Sequence, residues 1–336
     1  DLQRFKFLNR CVGWSVFAVA ALVYLLTIEP STSLWDCSEF IATSYKLEVG
    51  HPPGAPLFML IARLATMLAP SPYYVPHMVN GMNALASAFC ILFLFWTITH
   101  IARRLYTRGN QELTVAKGAT VLGAGAIGAL AYTFTDTFWF SAVEGEVYAM
   151  SSMFTALVVW LMLKWEENAH RATSMRWIIF IAYLMGLSIG VHILNLLTIP
   201  ALVMIWFFRR YEYRTAWDYV AKIALALVVS LVILGAINGI IIPYTVALGA
   251  AVDTFAVNSL GMPVNSGMII FAVAVFALLG YAVMFTHRRG YKVLNGVVMA
   301  VLVILIGFSS YASVSIRAAA NPPMNSNNPS NPHMLL

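Results

Sequence analysis

The sequence predicts an all-α polytopic transmembrane helix bundle of about nine spans, with a short helical first loop on the outer side. Three observations predict this class. Hydrophobic residues make up 60% of the 336 residues, and the mean hydropathy is +0.79, whereas soluble domains are less apolar and more highly charged. Apolar runs approach the roughly 20 residues that cross a bilayer. Basic residues alternate regularly between these runs, as membrane topology requires.

Nine apolar runs are the predicted spans. A tenth apolar piece, Leu57 to Leu68, is too short to cross and predicts an interfacial or re-entrant helix within the first outer loop. The nine runs cover residues 12–28, 78–100, 116–135, 142–163, 177–192, 194–208, 219–242, 267–286 and 293–313.

The positions of the basic residues predict the orientation. All but three of the 20 Lys and Arg precede the first run, lie between runs two and three, four and five, six and seven, or eight and nine, or stand in the first turn of runs three and seven. If every run crosses, these segments share one side, which the positive-inside rule makes cytoplasmic. The net charge of +6 is then explained by topology, and it does not indicate a nucleic-acid partner.

The opposite side is acidic. Carboxylates near apolar helices are costly to insert and usually face a cavity with a function. We therefore expect an acidic outer cavity. Eight of the 14 acids fall on this side: Glu29, Asp36, Glu39, Glu48, Asp136, Glu144, Glu146 and Asp253.

The first outer loop, residues 29–77, carries the strongest pattern. Asp36 and Glu39 are three residues apart within a predicted short helix, Leu34 to Leu47, so their carboxylates share one face. One carboxylate could take a proton from an acceptor hydroxyl while the other orients that hydroxyl. The alternative is an ordinary solvated helix N-terminus, where acids are favoured by the dipole.

The same loop contains His51-Pro52-Pro53-Gly54-x-Pro56. Three prolines around a glycine predict a stiff, kinked turn that fixes the position of His51. Rigid placement suits a group that hydrogen-bonds a phosphate or substrate oxygen. A purely structural turn with an incidental histidine is the alternative.

A second acidic group stands before Tyr148. We expect Glu144 and Glu146 to open the fourth span, and carboxylates two residues apart cannot share a helix face. Only one of the two is therefore expected to point into the cavity, and the family resemblance that this segment carries favours Glu146, on the side of Tyr148. In the alternative, both acids are exposed at the helix N-terminus.

Three further residues are candidates for substrate binding. His192 and Asn195 could line the outer vestibule or form an ordinary contact between helices. Arg317 could bind a phosphate through its guanidinium fork. It could equally be an interfacial anchor whose side chain reaches the headgroups.

The sequence indicates no nucleotide cofactor. The glycines at 123, 125 and 128 and at 186 and 190 lie inside predicted spans, where they favour close helix packing. The cofactor requirement is otherwise unknown. A divalent metal would need convergent oxygen ligands, which Asp36, Glu39 and Glu146 could supply.

Two motifs resemble a known family. Asp36-Cys37-Ser38-Glu39-Phe40 and His51 to Phe58 resemble the opening signature of the domain-of-unknown-function 2723 family, which is similar to transmembrane protein O-mannosyltransferases with D-S-G-E-L…HPPGYPLF. Phe140 to Ala149 resembles the second motif of that family. The departures are Cys37 for serine, Ser38 for glycine and Ala55 for tyrosine.

The resemblance implies a GT-C-type glycosyltransferase in a bacterial inner membrane, with its active site in the periplasm. It implies Asp36 as the base and Glu39 as its partner, with Glu146 and His51 shaping the acceptor and donor sites. The implied donor is a polyprenyl-phosphate-linked sugar, mannose or a related hexose. The implied acceptor is a Ser/Thr hydroxyl of an exported protein, or a glycan, and membrane lipids surround the bundle.

Two other classes of protein are open at this point. One is a transporter or flippase for a lipid-linked or anionic solute, and the other is a scaffold subunit of an envelope complex. The expected organisation is a transmembrane domain over residues 1–316 and an Asn/Pro-rich periplasmic tail over 317–336. We expect that tail to lead into a further C-terminal region.

Overall fold

The computed structural model describes residues 2–109 and 111–336. Within these ranges the chain is helical, with short 3₁₀ turns between some helices and one isolated parallel bridge between Val49 and Asn325. The helices are α1 (Leu2–Leu26), α2 (Cys37–Lys46), α3 (Pro56–Thr66), α4 (Val75–Tyr106), α5 (Val115–Thr133), α6 (Asp136–Ala142), α7 (Val147–Asn168), α8 (Met175–Ile189), α9 (Ile199–Arg210), α10 (Ala216–Ala236), α11 (Ile242–Leu260), α12 (Ser266–Arg288), α13 (Lys292–Phe308), α14 (Ala312–Ala319) and α15 (Pro332–Leu335).

The predicted fold class is confirmed. In the described ranges, 8 helical stretches are long and apolar enough to cross a membrane, and the chain is an integral membrane protein of the all-α polytopic class. The fifth predicted span, 177–192, falls in α8, which has only 15 residues. At 1.5 Å per residue α8 covers about 22 Å, less than a typical hydrocarbon core.

One predicted boundary is wrong. We expected a span to end at residue 242 and an outer loop to follow, but Ala216–Leu260 is helical over 45 residues. A π-helical segment, Ile237–Ile241, joins α10 to α11. Pro243 lies in the first turn of α11. The wider π turn makes room for its ring, so the proline does not end the helix.

The chain divides into two compact units. The first comprises the residues up to Lys46 together with Phe58–Leu163, and the second comprises Leu47–Leu57 and Lys164–Leu336. The first unit therefore contains α1, α2, most of α3, α4 to α6 and most of α7. The second contains the short loop 47–57 and the helices from α8 onward.

In the first unit, α1 and α5 run antiparallel to α4. The indole N–H of Trp96 donates to the carbonyl of Asn9 (3.4 Å), which pairs the start of α1 with the later part of α4. The Tyr24 hydroxyl donates to the carbonyl of Thr133 (2.9 Å), which pairs the ends of α1 and α5. The predicted sharing of one side by the N-terminus and the α4–α5 connection is thus confirmed.

Glycine packing is confirmed in both units. An added methyl group at Gly125 would overlap Thr99 on α4, and one at Gly128 would lie 2.8 Å from Ile98. Gly123, in contrast, faces open space.

In the second unit, α8 and α13 lie side by side and run in the same direction. An added methyl group at Gly296 would lie 3.4 Å from Cε of Met175, near the start of both helices, and one at Gly186 would overlap the backbone of Ile304. Only glycine allows two backbones to approach so closely. Because α13 belongs to a stretch that can cross the membrane, the short α8 follows the direction of a crossing helix.

Candidate active site

The acid pair lies at the start of α2. Asp36 directly precedes the helix, and its carbonyl accepts a hydrogen bond from the N–H of Phe40 (2.9 Å). Glu39 stands in the first turn. Carboxylate oxygens of the two residues lie within 4.8 Å of each other, so the expectation that they share a face is confirmed. Asp36 is exposed and Glu39 is half-buried.

The opposite face of α2 fixes its position. The rings of Phe40 and Phe58 meet edge to face at 5.3 Å. The hydroxyls of Thr43 and Ser44 each donate to the sulfur of Met59 at 3.4 Å. Arg63 donates to the carbonyl of Tyr45. Since these contacts bury one side of the helix against α3, the side bearing the acid pair is held in a defined direction.

Glu144 and Glu146 lie in a turn, not in a helix. We expected them to open the fourth span, but α7 begins at Val147, and both acids are buried. Their spacing on a helix face therefore does not limit the cavity to one of the two acids. The Ser33 hydroxyl donates to Oε2 of Glu144 (2.6 Å), and Oε2 of Glu146 accepts from the N–H of Val147 (3.1 Å).

The turn 144–146 packs directly against α2. An added methyl group at Gly145 would lie 2.9 Å from Cγ1 of Ile41, so only glycine fits. Tyr148 follows in the first turn of α7 and is 45% exposed. We call Asp36, Glu39, Glu144 and Glu146 the acidic cluster.

Two asparagines on α4 hold this arrangement together. Nδ2 of Asn83 donates to the carbonyls of Glu144 and Glu146, both at 2.6 Å. Nδ2 of Asn80, one turn earlier, donates to the carbonyls of Glu29 and Ser31. Neither asparagine was predicted from the sequence. Their signal was two polar side chains spaced i, i+3 inside an apolar run.

The pKa of the Cys37 thiol depends on its burial and on the charges near it. Its thiol is buried, and burial raises its pKa to about 12, with the negative charges of Glu144 and Glu146 adding to the effect. The hydrogen bond from Ser33 acts in the opposite direction. The thiol is therefore protonated at neutral pH and cannot serve as a nucleophile.

His51 lies in the second unit, on a loop that is held at both ends. Nε of Arg317 donates to the carbonyl of Leu47 (2.6 Å), and the N–H of Leu57 donates to the carbonyl of Gly190 (2.7 Å). Between these points, Gly54 has a left-handed φ of +87°, as the predicted tight turn requires. His51 itself is half-buried.

The C-terminal tail also fastens this loop. The N–H of Val49 donates to the carbonyl of Met324, and the N–H of Ser326 donates to the carbonyl of Val49, both at 3.0 Å. In the second unit, the structure thus connects Arg317 and the tail to the loop that carries His51.

His192 and Asn195 flank the turn after α8. Nδ1 of His192 accepts from the N–H of Leu194 (3.1 Å), and burial lowers the pKa of this imidazole. Asn195 is buried, and its Nδ2 donates to the hydroxyl of Ser188 (2.9 Å). Asn195 thus ties the turn to α8, which fits a positioning role better than direct contact with a ligand.

Two of the three metal ligands suggested by the sequence converge. Asp36 and Glu39 offer carboxylate oxygens to one point at the start of α2. The Glu146 carboxylate instead accepts the first N–H of α7. Ca²⁺ prefers six or more oxygen ligands, and Mg²⁺ usually keeps several bound waters. Asp36 and Glu39 alone would therefore form a partial metal site.

These features define a polytopic membrane protein with an acidic cluster at one end of its first unit. Residues 36–215 match the family described as Protein O-mannosyl-transferase TMEM260 N-terminal domain. The chain belongs to this family. The matched region contains the acidic cluster, His51, Tyr148, His192 and Asn195, but not Arg317.

Curated relatives carry the same description. The chain is 28% identical over 195 residues to a protein O-mannosyl-transferase of Dictyostelium discoideum, covering 56% of this chain and 22% of the relative. It is 29% identical over 190 residues to one of Mus musculus, covering 56% of this chain and 24% of the relative. The chain thus spans about a quarter of the length of these relatives. No solved structure matches it.

Proposed function

We propose that the chain is the membrane-embedded catalytic part of a protein O-mannosyltransferase of the GT-C type. In this proposal it transfers mannose or a related hexose from a polyprenyl phosphate to a Ser/Thr hydroxyl of an exported protein. The observation that carries the proposal is the acid pair, in which the carboxylates of Asp36 and Glu39 converge within 4.8 Å inside the matched region. The names of the relatives support the reaction class.

The proposed chemistry needs one base. Asp36, the exposed member of the pair, takes the proton of the acceptor hydroxyl. The hydroxyl oxygen then attacks the anomeric carbon of the sugar in line, and the bond from that carbon to the phosphate oxygen breaks. Configuration inverts, and polyprenyl phosphate leaves with the electron pair. Glu39, one turn along α2, orients the acceptor.

The remaining site residues take supporting roles in this proposal. Glu146 and Tyr148 shape the acceptor site. His51 and Arg317 serve the donor phosphate, and both belong to the structure of the loop 47–57. His192 contributes a neutral imidazole, because burial lowers its pKa, and Asn195 positions the turn that carries it.

We also propose the setting of the reaction. The protein lies in a bacterial inner membrane with a cytoplasmic N-terminus, so the acidic cluster faces the periplasm. Residues 1–316 form the transmembrane domain with the first outer loop at 29–77, and residues 317–336 form a periplasmic tail. A lipid-linked donor suits a compartment that lacks nucleotide sugars.

Mass spectrometry of exported proteins tests the function. Cells that lack the gene should lose hexose-modified Ser/Thr peptides, and the wild-type gene should restore them. Reconstituted vesicles separate the transporter alternative, since a flippase would move the lipid-linked sugar without forming a glycopeptide. Unchanged glycopeptides in the deletion strain would contradict the proposal.

A further inference from the structure

A basic cavity of about 420 Å³ lies at one end of the second unit. It is lined by cations from three separate connections of the chain. Arg171 precedes α8, Arg210 ends α9, and Lys292 begins α13. His170 and His287 complete the basic lining, and the residues described as lining it include no Asp or Glu.

Two helices begin at this cavity. Ser174, the N-cap of α8, lines it and is buried, and its side chain makes no capping hydrogen bond. Lys292 is the first residue of α13. The positive dipole ends of both helices therefore add to the charge of the side chains. Such helix ends favour an anion.

Two acids close in sequence to the lining residues are paired with cations outside the cavity. Glu167, on the last turn of α7, lies 3.3 Å from Lys164, and Glu212 lies 3.7 Å from Arg214. The guanidinium of Arg210 lies 5.8 Å from the centre of the Trp165 ring, which is buried. Trp165 thus orients the arginine fork without removing its charge. Cations gathered around one cavity repel each other, and an anion in it would offset that repulsion.

The surroundings favour a lipid as the source of the anion. Met175, which lines the cavity, is exposed, and so are Val293 and Leu294 on the first turn of α13. An apolar surface beside a cationic pocket matches an acyl chain beside a phosphate. Basic pockets between the ends of transmembrane helices bind anionic headgroups in this way.

We propose that this cavity binds the phosphate of an anionic phospholipid, at a site separate from the acidic cluster. Arginine and lysine on this side of the membrane are expected from topology alone. Binding of the phospholipid is therefore expected to be saturable and to depend on the residues that line the cavity, and not on the total positive charge of that side.

The test uses the full chain purified in a neutral detergent. Short-chain phosphatidylglycerol is titrated, with short-chain phosphatidylcholine and inorganic phosphate as separate arms, and binding is followed by native mass spectrometry. Arg171→Gln with Lys292→Gln should weaken phosphatidylglycerol binding at least tenfold. Arg108→Gln with Arg288→Gln removes the same charge from exposed positions outside the cavity and should change it less than twofold.

A second variant guards against misfolding of the first. Ala172 is an exposed residue that lines the cavity. Ala172→Glu adds a negative charge that repels an anionic ligand and removes no contact, so this variant should also abolish binding. Equal losses in the two double variants would overturn the proposal. So would equal binding of phosphatidylcholine, and so would tight binding of inorganic phosphate alone.

Discussion

Asn83, on α4, holds the turn 144–146 of the acidic cluster through its side-chain amide. Its amide satisfies two buried carbonyls in the turn 144–146. Asn83→Ala should destabilise the protein by about 1–3 kcal/mol, chiefly at the carbonyl of Glu146, because the carbonyl of Glu144 still accepts from the N–H of Glu146. The measurement is the midpoint of thermal unfolding in detergent.

The control for this prediction is Asn238→Ala. Asn238 is exposed in the π segment, and its amide donates to the carbonyl of Leu234 one turn earlier. Its loss should leave the unfolding midpoint nearly unchanged. Similar midpoints for the Asn83 and Asn238 variants would show that Asn83 does not hold the turn.

Cys37 gives the site a measurable dependence on pH. Its pKa is raised from 9.0 to about 12, so the folded state keeps a proton that the unfolded state releases within this range. The contribution of Cys37 to stability is fully present below pH 9 and is lost as the pH rises toward 12. The fall in stability over this range should be smaller in Cys37→Ala.

Alkylation checks the same prediction directly. Iodoacetamide at pH 8 should modify Cys37 only after denaturation, because the thiol is buried and protonated in the folded protein. Rapid modification of the folded protein would contradict the burial of this residue.

At the residue scale, spacing correctly predicted that Asp36 and Glu39 share a face, but it did not predict the arrangement of Glu144 and Glu146. The i, i+3 spacing of Asp36 and Glu39 was sufficient because both belong to one short helix. The turn 144–146 was mistaken for helix, because sequence pattern does not show where a helix begins to within a few residues. Asn83 was not predicted. A polar residue in an apolar run indicates that a polar group is buried, but it does not show which group it bonds to.

At the scale of the elements, the close packing of α8 against α13 can be tested by substitution. Gly186 and Gly307 bring the two backbones together, and no side chain fits between them. Gly186→Ala should destabilise the protein by roughly 1–3 kcal/mol through overpacking. The unfolding midpoint should fall accordingly.

Gly280→Ala is the matched control in the same unit. A methyl group added there meets no atom within 4 Å, and the residue lies within α12. This substitution should leave stability unchanged or raise it by up to about 1 kcal/mol, because alanine favours helix over glycine. A stable Gly186→Ala variant would mean that α8 and α13 do not approach as closely as described.

Helix positions were largely predictable from sequence, and helix ends were not. The predicted short helix Leu34–Leu47 appears as α2, and the apolar piece Leu57–Leu68 appears as α3. The first was predicted from the spacing of its side chains and the second from the length of its apolar run. The continuation of helix past Pro243 was missed, because a π segment that accommodates the proline leaves no mark in hydropathy.

For the whole molecule, the predicted sidedness rests on the alternation of basic segments. Within the second unit, the basic cavity brings together residues from the connections before α8, after α9 and before α13. This is the arrangement that the alternation requires. It follows only if α8 crosses in the same direction as α13, as their contact indicates.

Cysteine labelling tests this orientation. In a variant without native cysteines, Ser71→Cys should react with an impermeant maleimide in intact spheroplasts. Arg108→Cys and Thr173→Cys should react only after lysis, since both lie on the side proposed to be cytoplasmic. Labelling of Thr173→Cys in intact spheroplasts would reverse the assignment of α8.

A reconstituted assay shows whether Asp36 is the base of the proposed sugar transfer. Purified protein receives mannosyl polyprenyl phosphate and a Ser/Thr acceptor peptide, and glycopeptide is measured. Asp36→Asn should lower the rate by about 10²–10⁴-fold with an unchanged unfolding midpoint. Asp136→Asn, an exposed acid outside the acidic cluster, should retain full activity. Full activity of Asp36→Asn would mean that Asp36 is not the base.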